Sequence, residues 1–246
     1  MLSFIPLMLA IQVQAVPTLP DILERNTRAV GGTAIAAVGT RRVTFILQGA
    51  APGDVPVTVE QKRPRLFRRE VGPAGSAQIT VLNGKDAWKI DPAAGLTTPT
   101  DLSAEEAADL FEDAVVDGDL VNSGAKISLQ GVDTLPSGIA YRMLLAYETG
   151  RTATVWLDAR TNLEVRRAFK RRAAGQDIEM ESTAGDYRTV QGVSEPHRIT
   201  MRIPIANIEM VLLMQSIVVN VPIDDSRFVR PTAGSVRRDA TRPPSH

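Results

Sequence analysis

The feature that most constrains this chain is a long succession of short runs whose apolar residues recur at every second position, separated only by turns. Arg41–Gln48, Val55–Lys62, Arg65–Val71, Ala77–Leu82 and Asp86–Ile90 read as strands, punctuated by Pro-Gly, Gly-Pro and Asn83-Gly84. Asn-Gly between two alternating runs is a strong hairpin signal, because both residues tolerate the positive φ such a turn needs. Beyond one interrupting helix, strands resume at Ala125–Gln130, Ile139–Glu148, Thr152–Asp158, Leu163–Arg172, Gln176–Tyr187, His197–Ile203 and Ile208–Val221. Parallel neighbours need a crossover of about a dozen residues or more, usually a helix. Such crossovers are missing from the pattern, so an antiparallel meander is the economical solution. A sheet with about a dozen twisted strands curls over, and its open mouth must be filled or covered.

The helices are candidates for that cover. From Pro17 to Val38 the period is helical: Ile22, Leu23, Asn26, Ala29 and Val30 share a face, Pro20 suits a first turn, and Gly31-Gly32 stops the helix. Thr33 can cap a second, short helix over Ala34–Val38. The interrupting helix begins with a capping box, Ser103 and Glu106, and is expected to end at Gly118. Its inner face is expected to be Ala104, Ala107, Phe111, Ala114 and Val115, with Glu105, Asp109, Glu112 and Asp113 turned outward.

Strand faces sharpen the expectation. In Arg198–Ile203, Ile199, Met201 and Ile203 alternate with Arg198, Thr200 and Arg202, whereas Ile208–Val219 is apolar on both faces and calls for cover on both. One inner row is Ile208, Met210, Leu212 and Met214, joined by Met143, Met180 and Met201 from other strands. Methionine is unbranched and polarizable, so such a row either fills an ordinary core or adapts to an irregular apolar guest.

Composition removes several kinds of chemistry. The 246 residues include no cysteine and two histidines, His197 and His246. That excludes disulfides, thiol nucleophiles, iron–sulfur and cysteine–zinc centres, histidine-rich metal sites and a lipid-modified cysteine. Equal numbers of basic and acidic residues, 28 of each, and 4% aromatics argue against a nucleic-acid partner. Leu2–Val13 is apolar except Ser3, Pro6 and Gln12, and is followed by Gln14-Ala15. Residues 1–15 therefore read as an export signal lacking the usual basic start, the alternative being an apolar element of the fold. Residues 16–231 form the expected domain, and 232–246, rich in Arg, Pro and Ser, an expected disordered tail.

Catalytic patterns are thin. Gly-x-Ser-x-Gly and phosphate-loop motifs are absent from the sequence, and Glu105-Glu106 and Asp224-Asp225 lack calcium-loop spacing. A hydrolase would have to use His197, which follows Pro196 at a strand entrance, where a structural hydrogen bond is the expected role. No catalytic residue, metal site or cofactor is assigned.

Three stretches carry a resemblance. Lys62-Arg63-Pro64-Arg65-Leu66-Phe67-Arg68, followed by Val81-Leu82-Asn83-Gly84-Lys85-Asp86-Ala87-Trp88-Lys89-Ile90-Asp91-Pro92, resembles the Arg-Pro strand and Gly-Lys hairpin of the LolA-like periplasmic lipoprotein carrier and sorting family. Asp225-Ser226-Arg227-Phe228-Val229-Arg230-Pro231 is similar to that family's closing Asp-x-x-x-Phe-x-x-Pro segment. Asp186-Tyr187 through Gly192 to Pro196-His197-Arg198-Ile199 resembles the broader group of outer-membrane lipoprotein-sorting proteins. The order of elements matches over roughly residues 18–231.

The resemblance implies a mainly β fold with an α lid: a curled antiparallel sheet forming an incomplete β-barrel, covered by helices, whose concave apolar face receives acyl chains. It implies a soluble periplasmic monomer that carries an acylated lipoprotein or lipid, receives it from an inner-membrane releasing complex and delivers it to an outer-membrane acceptor. It also implies that Arg63 bonds to the lid and controls its opening. Trp88, Phe111, Met143, Met180, Met201, Met210 and Met214 are the candidate cavity residues. A lipid-sensing envelope regulator is the alternative, and a hydrolase a third reading.

Overall fold

The computed structural model describes residues 17–84, 86–115, 120–173 and 175–231. The expected signal segment, the expected tail and the expected stop at Gly118 lie outside them. Helices α1 (Leu19–Val30) and α2 (Thr33–Ala36) precede β1 (Thr40–Gln48), β2 (Val55–Lys62), β3 (Leu66–Val71), β4 (Gln78–Asn83), β5 (Asp86–Asp91) and β6 (Leu96–Asp101). After α3 (Ala104–Asp113) come β7 (Ala125–Leu135), β8 (Gly138–Tyr147), β9 (Thr152–Asp158), β10 (Glu164–Ala173), β11 (Gln176–Val190), β12 (Val193–Ile203) and β13 (Ile208–Val219).

All thirteen strands form one sheet in the order β6-β5-β4-β3-β2-β1-β13-β12-β11-β10-β9-β8-β7. The pairs are antiparallel, and the end strands β6 and β7 do not meet, so the sheet curls without closing into a barrel. The antiparallel meander expected from the turns is present, with β6 the one strand the periodicity did not reveal. Its sequence, Leu-Thr-Thr-Pro-Thr-Asp, reads as a turn, and Pro99 is tolerated because an edge strand needs only half of its backbone donors.

Cross-strand register identifies the two faces. Leu129, Met143, Val155, Arg167, Ser182, Met201 and Met210 are successive partners from β7 to β13. Ile22 of α1 packs fully buried against Met143, Leu145, Val155 and Leu157, so this row marks the concave face. Thr18 and Asp21 form the capping box that starts α1. At its other end Val30 joins Ile35, Val38 and Val193 in a second cluster. Gly31 ends α1 at φ 137°, where a Cβ would stand 2.7 Å from the Gly192 carbonyl oxygen. Only glycine permits that close approach between helix and β11–β12 turn.

Helix α3 lies on the other wall of the same concavity, with Leu110 and Ala114 against Phe67, Leu82 and Ala87. On the convex face the C-terminal segment returns over β3–β5, where Ile223 and Phe228 bury Trp88, Val81 and Ile90. Buried Glu60 accepts hydrogen bonds from Arg42 and Arg227 at 2.9 Å each, fastening that segment to β1 and β2.

One expectation about β13 needs correction. Neither side is fully covered: inward Met210 and Leu212 and outward Val211 and Leu213 are half-buried, Val218 is 45% exposed, and only Met214 and Ile217 are buried. Leu213 lies between Arg198 and Ile46 in the register, and flanking side chains of this kind shield it without a second layer.

Candidate ligand-binding concavity

Between α1 and α3 the inner face of the central strands is apolar and incompletely covered. Ala184, Ile199, Leu212, Leu47 and Val55 are successive partners across β11, β12, β13, β1 and β2. The next row toward α3 is Met214, Phe45, Val57 and Val71. Ala184, Ile199, Met201, Ile203, Met210, Leu212 and Phe45 are all half-buried. A solvent-touching apolar surface continuous over several strands is the feature that marks a binding face.

The structure brings the five candidate methionines onto this face. Met143 is fully buried beneath α1, and Met214 is 8% exposed beside Val43 and Ile217. Met180 is the partner of Phe169, which packs on the cluster under α1, and Met201 pairs with Met210. Met180, Met201 and Met210 are half-buried on the open part of the face.

Two other candidates do not line the cavity. Trp88 is 1% exposed but sits on the convex face, beneath Ile223 and Phe228, because the returning C-terminal segment gives β5 an apolar partner there. Phe111 is 37% exposed, and the Arg65 guanidinium stands 3.8 Å over its ring. The buried stripe of α3 runs through Leu110 and Ala114 with Ala107, which places Phe111 at its margin.

Of the acidic residues of α3 expected to meet solvent, Glu105 is exposed, whereas Asp109, Glu112 and Asp113 are turned inward by arginines. Asp109 Oδ2 accepts the Arg172 backbone N–H at 2.7 Å, and its Oδ1 lies 3.0 Å from Arg151 Nη2. Arg171 reaches Glu112 at 3.2 Å and Asp113 at 2.5 Å. From the opposite wall, Gln61 Nε2 donates to the carbonyls of Asp113 and Val115 at 2.8 and 3.1 Å, satisfying two acceptors at the helix end. Helix α3 thus spans the mouth, apolar toward β3–β5 and ionic toward β10. Burial pushes the carboxyls of Asp109 and Glu112 up from their ordinary values, against the pull of Arg171.

Arg63 follows β2 and points at the first pair of helices. Its Nε donates to the Val38 carbonyl at 2.7 Å and its Nη2 to the Ile35 carbonyl at 3.3 Å. One guanidinium therefore holds the end of α2 and the residues after it, as its planar array of donors allows.

Sequence reasoning missed a polar compartment behind the apolar rows. A cavity of about 290 Å³ opens between α1, Val115, Leu120 and β10–β12. Arg41 Nη1 donates to Glu195 Oε1 at 2.5 Å, and Arg167 grips both oxygens of Glu164 at 3.0 and 2.7 Å. Asn26, 1% exposed, seals one side by donating to the Asn162 carbonyl and accepting from Leu120 N. The signal was faint: β12 begins at Val193 rather than His197, so Glu195 seemed to belong to a turn. His197 itself contacts the backbone of its own strand, with Nδ1 3.1 Å from the Glu195 carbonyl oxygen. A larger open hollow of about 620 Å³ lies away from the apolar rows, between Lys62 and Val221–Asp224.

Among the described residues no three or more acidic or histidine side chains are grouped to hold a metal, and no helix is long and apolar enough to cross a membrane.

No protein-family model and no curated protein matches the sequence. Solved structures do match the fold. A LolA superfamily protein from Nitrosomonas europaea superposes with a TM-score of 0.60 at 16% identity, over 87% of this chain and 98% of that one. A DUF1329 family protein from Desulfovibrio piger gives 0.60 at 12% identity, over 86% and 97%. An outer membrane lipoprotein-sorting protein domain from Vibrio parahaemolyticus gives 0.56 at 13%, over 85% and 94%. The chain therefore has the LolA-like fold, an unclosed antiparallel sheet with helices in its concavity. At these identities the likeness is one of fold.

Proposed function

We propose that this protein is a soluble periplasmic carrier that shields the acyl chains of a lipoprotein, or of a related amphiphile, for transfer towards the outer membrane. The observation that carries the reading is the half-buried apolar surface of β1, β13, β12 and β11, left uncovered between α1 and α3. Burying apolar area is worth roughly 25 cal/mol per Å², so a single acyl chain laid over these rows gains several kcal/mol. The methionines supply a surface that adjusts to chains of differing shape. Arg63 is the proposed control point for release, since it fastens α2 through two carbonyls that a moving lid would give up. Similarity of fold to a lipoprotein-sorting domain supports the choice of cargo.

The test is purification under mild conditions followed by lipid mass spectrometry, with a retention assay for a synthetic acylated peptide. Co-purified amphiphile and a retained acylated peptide, with no retention of the unacylated one, are expected. Protein that is consistently lipid-free and retains neither peptide would overturn the proposal.

A further inference from the structure

The concavity has two chemically different compartments, and the polar one bears on what the cargo looks like. Its walls hold two guanidinium groups and two carboxylates, Arg41 with Glu195 and Arg167 with Glu164, for a balance of zero. The Arg41 and Glu195 side chains are only 16% and 8% exposed. Ala184 and Ile199 line this cavity and also begin the apolar row that continues through Leu212 to Leu47, so the compartments share a wall.

We propose that this cavity receives the polar head of an amphiphile whose acyl chains lie over Ile199, Met201 and Leu212, and that the head carries both hydrogen-bond donors and acceptors with no net charge. The inference rests on the carrier reading and names the class of cargo. Three observations support it. At about 290 Å³ the space falls at the low end of ligand pockets, which run from roughly 300 to 1,000 Å³, and so suits a head better than paired chains. A net anionic head would compete with Glu164 and Glu195 for the guanidinium groups and leave excess negative charge in a poorly solvated interior. A neutral head with both polarities adds bonds without that excess. Finally, Arg41 Nε is buried with no hydrogen-bond partner, a donor that an acceptor entering beside it would satisfy after a small side-chain adjustment.

Two sources share this chemistry: a glycerolipid with a phosphoethanolamine head, and the diacylated, amide-bearing N-terminus of a lipopeptide. The experiment measures displacement of a fluorescent acyl probe from delipidated protein by four ligands with the same chains. These are phosphatidylethanolamine, a diacylated peptide with blocked termini and no charged side chains, phosphatidylglycerol and diacylglycerol. At least one of the first two is expected to bind about ten-fold more tightly than either of the last two. The tighter of the first pair identifies the source. The double variant Arg41→Gln/Glu195→Gln is expected to lose that preference while keeping its affinity for diacylglycerol.

Should the double variant not fold, Ser182→Leu fills the cavity from its wall without breaking either ion pair, and the same loss of preference is expected. Equal affinities for all four ligands, tightest binding of phosphatidylglycerol, or a preference that survives in folded variants would overturn the head site and leave the carrier reading standing. Failure of every acyl ligand to bind would remove both.

Discussion

Arg171 Nη1 stands 3.2 Å from Glu112 Oε2, tying the strand on one side of the mouth to a helix whose apolar side rests on the other. The same guanidinium also holds Asp113, so one substitution removes both links. In Arg171→Met, amide exchange within α3 should accelerate about ten-fold, equivalent to about 1.4 kcal/mol of local stability. Exchange in β8 and β9 should not change. Uniform acceleration across the sheet would show that the contact supports the whole fold rather than the strap.

Acid should tighten that strap. Burial raises the carboxyl pKa values of Asp109 and Glu112 in the docked helix, although Arg171 and Arg151 face Asp109 and Arg171 faces Glu112. A carboxyl whose pKa is raised in one state binds its proton more readily there, so acidification favours that state. Glu106 works in the opposite sense at lower pH: burial opposes its ionisation, but Lys89 and the Ser103 N–H hold its pKa down. As the pH falls toward the ordinary carboxylate range, with Glu106 still ionised, the raised pair governs. Exchange of α3 amides, corrected for intrinsic rates, should be slower at the acidic end, and faster exchange there would contradict the assignment.

Arg63→Leu removes both bonds to the α2 region without touching the sheet ladder. Hydrogen bonds from a charged donor contribute about 1.5–3 kcal/mol each, so residues 33–38 should lose exchange protection while the far-ultraviolet spectrum is retained. Transfer of an acylated peptide to acceptor vesicles should change in rate. Equal transfer by mutant and wild type would end the control role proposed for Arg63.

Met201 and Thr200 are neighbours on opposite faces of β12, which makes them a matched pair. Met201→Asp places a carboxylate on the apolar row and should weaken binding of a fluorescent acyl probe by about ten-fold or more. Thr200→Asp, outside the concavity beside Val211, should leave affinity within about two-fold. If both variants bind alike, the guest does not lie where the carrier reading puts it.

Gly31→Ala tests the helix–turn contact. Its added Cβ would stand 2.7 Å from the Gly192 carbonyl oxygen and 3.3 Å from Val193 Cα, at a φ of 137°. A loss of about 1–3 kcal/mol in urea unfolding is expected. A neutral change would mean that α1 shifts freely on the sheet.

Much of this architecture was legible because strand periodicity is local. Twelve of the thirteen strands announce themselves, by alternation or, in β13, by an unbroken apolar run, whereas β6 does not, since Thr97, Thr98 and Thr100 give it no apolar face. The placement of particular side chains depends on distant partners. Trp88 and Ala87 both look like core residues, and only the return of Phe228 decides that the tryptophan belongs to the convex face. The acidic residues of α3 read as solvated until β10 brings Arg171 and Arg172 against them. Glu195 is buried because Arg41 reaches it from a strand 154 residues away, a pairing no spacing rule discloses.

The order of the strands gives α3 a further consequence. β6 and β7 stand at opposite ends of the sheet yet are consecutive in the chain, and the polypeptide between them passes through α3. The helix is therefore a tether between the two free margins, and its length limits how far they can separate. A guest too wide for the resting aperture must stretch the sheet against that tether or detach the helix. On the carrier reading, the width of a guest is limited by the chain's own connectivity as well as by the shape of its inner wall.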